Sequence, residues 1–81
     1  MREGIARYIA TDLLNQPGLV IGEDEDLLVS GLLDSLSVMS LIHYIEQEFS
    51  IDVPAEDVTI ENFASLRAID AYLRIKGVRV V

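Results

Sequence analysis

The sequence predicts an all-α fold, a small four-helix bundle with three longer helices, one short helix and a long first loop. Apolar residues recur at helical spacing in three separate stretches, at residues 2–14, 35–49 and 66–76. Residues that start or stop helices bound those stretches: Asn15, Pro17 and Gly18 after the first, Asp34 and Ser35 before the second, Ser65 and Gly77 around the last. The chain has 81 residues, 51% of them hydrophobic, which suffices for one small core and leaves little room for a buried active site. The expected organisation is a single domain, 1–81, with its core from about residue 5 to 76 and a tail at 77–81.

In the first helix Ile5, Ile9 and Leu13 fall on one line, with Ala6, Ala10 and Leu14 beside it. Asn-Gln-Pro-Gly at residues 15–18 ends it. Residues 15–33 have no sustained period and read as a long connection laid across the bundle. Its expected anchors are Leu19, Val20 and Ile21, then Leu27 and Leu28, then Leu32 and Leu33. The acidic run Glu23, Asp24, Glu25 and Asp26 lacks the spaced oxygens and central Gly of a calcium loop, and reads as a solvated charge cluster.

The central helix, residues 35–49, has two distinct faces. At 100° per residue from Ser35, Leu41, Ile45, Val38, Phe49 and Ile42 fall between about 240° and 340°, the width of a core stripe. Met39, His43, Leu36, Gln47 and Ser40 fall between about 40° and 140°. Leu36 and Met39 are thus predicted off the core, where a helix that only had to fold would more often carry Glu or Lys. Beyond it, residues 50–53 are extended before Pro54, and residues 54–58 form one helical turn with Pro near its start. Thr59 and Ser65 are cap candidates, with Ile60 and Phe63 available to the core. Leu66, Ile69, Tyr72 and Leu73 form the stripe of the last helix, which Gly77 stops.

Composition excludes several chemistries. There is no Cys, so disulfides, zinc–thiolate sites and thiol nucleophiles are ruled out. No apolar run reaches a membrane span, and the first residues do not form a signal peptide, so a soluble cytoplasmic protein is expected, without membrane insertion. The net charge is −8, and 12 of the 14 acids lie between Asp12 and Glu61, where there is no Lys or Arg. That field repels nucleic acid and would steer basic protein surfaces; the plainer reading is that it keeps a small protein in solution.

His43 is the only histidine. It lies eight residues past Ser35, about 12 Å along the helix, too far for a Ser–His nucleophile pair. Glu46 and Glu48 point to different sides and are no carboxylate pair. The chain has no equipment of its own for turnover, and it is not expected to be an enzyme.

As residues alone, Asp34 and Ser35 read first as a helix cap. The functional reading is that Ser35 carries a phosphate ester, which the positive end of a helix tolerates well. With no base beside it, Ser35 would be an acceptor that another enzyme modifies. The motif Gly-Leu-Leu-Asp-Ser-Leu at residues 31–36, followed by a helix ending Ile-Glu-Gln-Glu-Phe at 45–49, resembles the phosphopantetheine attachment site of acyl carrier proteins. The resemblance covers roughly residues 5–76.

The resemblance implies 4′-phosphopantetheine, derived from coenzyme A, attached to Ser35, with an acyl or aminoacyl group held on its thiol as a thioester. Asp34 would assist recognition by a phosphopantetheinyl transferase, and Leu36, Met39, Ser40 and His43 would meet partner enzymes. Those partners would be the transferase, an acyl- or aminoacyl-activating ligase and a downstream acyl transferase or synthase, each met by a monomer. Fatty-acid-synthase carriers commonly place acids where this chain has Ser37 and Ser40. The departure favours stand-alone acyl, D-alanyl or peptidyl carriers of specialised biosynthesis over a housekeeping fatty-acid role. An unmodified acidic helical module that docks through Leu36 and Met39 is the alternative of a different class.

Overall fold

The structure, a computed structural model, describes residues 2–78. Those residues are helical or irregular, with no strand among them. Four α-helices follow in order, α1 (Arg2–Tyr8), α2 (Ser35–Phe49), α3 (Ile60–Phe63) and α4 (Leu66–Ile75). The whole is compact, with a radius of gyration of 11.5 Å.

The first helix departs from expectation halfway along. After Tyr8 the chain widens into a π-helix, Ile9–Leu13. The Leu14 N–H reaches back to the Ile9 carbonyl at 2.9 Å, and Gln16 reaches Ala10 at 2.7 Å. Asn15, at φ 53°, then turns the chain into a left-handed conformation that asparagine tolerates. Ile5, Ile9 and Ala10 are buried, whereas Leu13 and Leu14 are only partly so. The expected continuous α-helical line ends at Ile9, because one extra residue per turn rotates Leu13 away from it.

The long connection is anchored, but by fewer residues than expected. Ile21, Leu27 and Leu33 are buried, and Leu28 and Leu32 pack against the core. Leu19 and Val20 are exposed instead, Val20 at 86%. Backbone bonds supply what those two do not. Leu27 donates to the Ala64 carbonyl at 2.7 Å, and Arg67 donates to the Glu23 carbonyl at 3.0 Å. These bonds sew the loop to the α3–α4 junction.

The acidic run is exposed to solvent, as expected from sequence, and two of its carboxylates also find a distant cation. Arg67 grips Asp24 at 2.6 Å and Glu23 at 3.1 Å. Asp26 accepts the Leu28 and Val29 N–H groups. The partner of Glu23 and Asp24 could not be assigned from sequence, because Arg67 lies 43 residues from Asp24.

In α2, Leu41, Ile42 and Ile45 are buried, with Val38 and Phe49 at the edge of the core, as the periodicity predicts. Ser50 leaves the helix at φ 54°. The half-buried Glu46 then turns its carboxylate onto the Val53 N–H at 2.9 Å, so this residue serves the connection rather than solvent. Pro54 stands just before a short 3-10 turn, Ala55–Asp57. A further short helix, α3, follows behind the Thr59 cap and was not separately expected. Phe63 is buried, but Ile60 is 59% exposed, because a helix of one turn has only one inward face.

Ser65 caps α4 by accepting the Ala68 N–H at 3.1 Å. At the far end Gly77 (φ 88°) and Val78 close the helix, their N–H groups bonding the Arg74 and Leu73 carbonyls. This is the paired C-terminal closure that glycine favours, and Val78 packs on the core beyond it. The expected tail therefore begins by packing; residues 79–81 lie outside the described residues. Asp70, at 5% exposure, is the buried acid that the apolar stripe of α4 did not reveal, and Arg74 bonds it one turn later at 3.2 Å. Tyr72 donates to Asp57 at 2.7 Å and tilts against Phe63, tying α4 to the 3-10 turn.

Candidate functional site

The two residues that could both cap α2 are separated by the structure. Asp34 is the cap, in an extended conformation, with its carboxylate accepting the Ser37 N–H at 2.8 Å. That backbone bond, with the Ser37 side chain adding to it, holds the Asp34 carboxyl below its ordinary value of 3.8. Ser35 is thereby released from capping and occupies the first position of the helix, exposed to solvent. It stands where the unpaired N–H groups and dipole of a 15-residue helix favour negative charge.

Beside Ser35 lies an open apolar cleft of about 340 Å³, between the end of the loop, α2 and Val58. Leu28, Leu33, Val38, Met39 and Val58 line it, with Asp34 and Ser35 at its edge. An exposed hydroxyl at a helix N-terminus, next to an apolar cleft, suits a phosphate ester that carries a flexible chain. The loop residues Leu28 and Leu33 and the distant Val58 were not singled out as site residues from sequence. Leu28 and Leu33 stood only as core anchors, and Val58 is brought in by the 3-10 turn.

Leu36 and Met39 are exposed at 80% and 60%, and Ser40 and His43 are exposed with them. The patch predicted for α2 is thus presented to solvent as one helical face. Tyr8 of α1 reaches this neighbourhood and donates to the Ser40 carbonyl at 3.3 Å. Its ring stacks on Tyr44, with centroids 4.1 Å apart, and Tyr44 in turn donates to the Gly4 carbonyl. This tyrosine pair staples α1 to α2. Periodicity alone placed Tyr44 at the core edge but gave it no partner.

The family model for the phosphopantetheine attachment site matches residues 5–73. A chain in a solved structure titled "Crystal structure of FAD-dependent dehydrogenase" is similar at 28% identity with a TM-score of 0.75, over 84% of this chain and 96% of that chain. No curated protein matches the chain in sequence. No helix among the described residues is long and apolar enough to cross a membrane. Matched over residues 5–73, the chain belongs to the phosphopantetheine attachment site family, whose members carry covalently attached 4′-phosphopantetheine, act as carriers rather than enzymes, and meet a phosphopantetheinyl transferase and acyl-handling enzymes.

Proposed function

We propose that this chain is a single-domain, monomeric, cytoplasmic carrier of specialised biosynthesis, folded as an acyl-carrier-like helical bundle. Its acyl or aminoacyl cargo rides on an arm attached to Ser35. The observation that carries the reading is the exposed Ser35 hydroxyl at the first position of α2, freed by the Asp34 cap. The arm supplies a thiol, which holds the cargo as a thioester. The protein supplies placement: Asp34 fixes the helix start, and the cleft beside Ser35 offers apolar surface to whatever the arm carries. Leu36, Met39, Ser40 and His43 supply a small docking face, and tethering raises the effective concentration of cargo at each partner. Serines at positions 37 and 40 keep that face less acidic than a fatty-acid-synthesis carrier commonly has it, which supports loading by an acyl- or aminoacyl-activating ligase.

Incubation with coenzyme A and a broad-specificity phosphopantetheinyl transferase, read by intact mass, tests the assignment. Wild type gains one phosphopantetheine and Ser35→Ala gains none. Modification that persists in Ser35→Ala, or moves to Ser30, Ser37 or Ser40, sinks it.

The similarity to a chain from a structure titled for an FAD-dependent dehydrogenase favours one downstream partner class, a flavin-dependent dehydrogenase acting on the tethered cargo. Its signature is the loss of a pair of hydrogens from the mass of the loaded protein when such an enzyme is supplied with FAD. An unchanged cargo mass under those conditions refutes this partner.

A further inference from the structure

We propose that Asp26 is a positioning residue for the modification of Ser35, acting through the turn that leads into α2. The role rests on the reading of Ser35 as the attachment point. The Asp26 carboxylate accepts two backbone N–H groups through one oxygen, from Leu28 at 3.0 Å and Val29 at 2.9 Å. The Ser30 hydroxyl donates back to the Asp26 carbonyl at 2.7 Å. Gly31, at φ 83°, folds the chain over so that its N–H meets the Leu28 carbonyl at 3.0 Å. The Leu33 N–H then returns to the Leu27 carbonyl at 2.9 Å.

Residues 27–33 are therefore a closed loop that begins and ends on core anchors, since Leu27 and Leu33 are both buried. Asp34 and Ser35 follow Leu33 directly, with no flexible residue between. Leu28 and Leu33 also wall the cleft at whose edge Ser35 stands. The geometry of the turn thus fixes both the serine and its surroundings.

Among the acids of the loop, Asp26 has a distinct task. Glu23 and Asp24 clasp Arg67, and Glu25 faces the Gly22 N–H at 3.5 Å. The Asp26 side chain is exposed and buries little surface, so its loss scarcely touches the core. What its loss does touch is the two N–H groups of the turn, which would lose their shared acceptor. A loop presenting Ser35 only part of the time raises the apparent KM of the transferase by the inverse of that fraction. Once Ser35 is presented the chemistry is unchanged, so kcat stays level.

The experiment compares wild type, Asp26→Ala, Asp26→Asn and Ser30→Ala as substrates of a broad-specificity phosphopantetheinyl transferase with coenzyme A. Asp26→Ala is expected to raise KM about tenfold at constant kcat, as the presenting fraction falls to about one tenth. Asp26→Asn keeps an acceptor oxygen in place and is expected to stay within about twofold of wild type. Ser30→Ala, which loosens the same turn elsewhere, shifts KM in the same direction by less. Amide exchange should quicken at Leu28 and Val29 in Asp26→Ala and stay as in wild type through α4.

An Asp26→Ala protein with wild-type KM overturns the role. So does an Asp26→Asn protein as impaired as Asp26→Ala, because the transferase would then be reading the charge and not the turn. A wild type that gains no phosphopantetheine overturns the attachment reading itself, a failure distinct from either.

Discussion

Replacing Ile45 and Met39 by alanine, one at a time, tests whether the two faces of α2 divide stability from recognition. Ile45 is fully buried, in the middle of α2. Truncation to alanine removes three carbons from the core, about 2.4 kcal/mol at about 0.8 kcal/mol per methylene. The unfilled space adds to that, giving a total of about 3–5 kcal/mol. A domain of 81 residues has about 4–12 kcal/mol in all, so the variant loses a large share of its stability. At about 4 °C or more per kcal/mol for this size, Tm falls by at least about 12 °C. Met39 is 60% exposed, and its truncation should change stability by less than about 0.5 kcal/mol. Loading by the proposed activating ligase should instead weaken in Met39→Ala. Circular-dichroism melts with parallel loading assays decide it. Equal losses of Tm in the two variants, or an Ile45→Ala protein within about 1 kcal/mol of wild type, refute the division of the helix.

The Tyr72 hydroxyl bonds Asp57, and burial followed by that bond raises its ionisation above the ordinary value of 10.0. Stability from this pair is therefore complete below pH 10 and lost as pH rises through the higher folded value; Tyr72→Phe should cost about 1–3 kcal/mol at neutral pH and flatten the alkaline limb of a pH–stability curve. Asp34 runs the other way: its carboxyl is depressed, so the cap is intact above 3.8 and is lost as pH falls through the lower folded value, with fraying at Leu36 and Ser37 seen by amide exchange. In Asp34→Asn that acid transition should vanish. Association with the loading enzyme should slow as salt rises through physiological strength, where the Debye length is about 8 Å, while dissociation changes little. Asp52→Lys with Glu56→Lys, both exposed and outside the Arg67 clasp, should slow stopped-flow association at low salt; an on-rate equal to wild type would leave the acidity as a means of staying in solution.

What the sequence revealed about α2 was local. Periodicity and the Asp34 cap depend on residues within four positions of one another, so the buried trio Leu41, Ile42 and Ile45 and the exposed pair Leu36 and Met39 could be read directly. Gly77 and the caps Thr59 and Ser65 were legible for the same reason. The loop was harder, because apolar character does not say which residues find the core: Leu19 and Val20 stay outside while Ile21 goes in. Pairings between distant residues were out of reach. The Arg67 clasp, the Tyr8–Tyr44 stack and the Tyr72–Asp57 bond depend on how the helices lie together, and so does the cleft that brings Val58 beside Ser35.

The π-helical turn at Ile9–Leu13 has a consequence for how the length of this chain can vary. Such a turn is an α-helix with one residue inserted, and the surplus is taken up on the spot. Ile5 and Ile9 sit ahead of it, in the core, and the turn at Asn15 and Gly18 comes just after it. A single deletion at Thr11 or Asp12, both exposed, would relax the wide turn to ordinary α geometry and bring Leu14 to the place four residues after Ile9, on the same face. The left-handed residue and the glycine that follow can absorb the remaining shift before Ile21 is reached. The same deletion in α2 would swing every side chain beyond it by about 100°, moving the core stripe off the core. On this geometry one helix would tolerate a change of length and its neighbour would not, and the intolerant one carries Ser35.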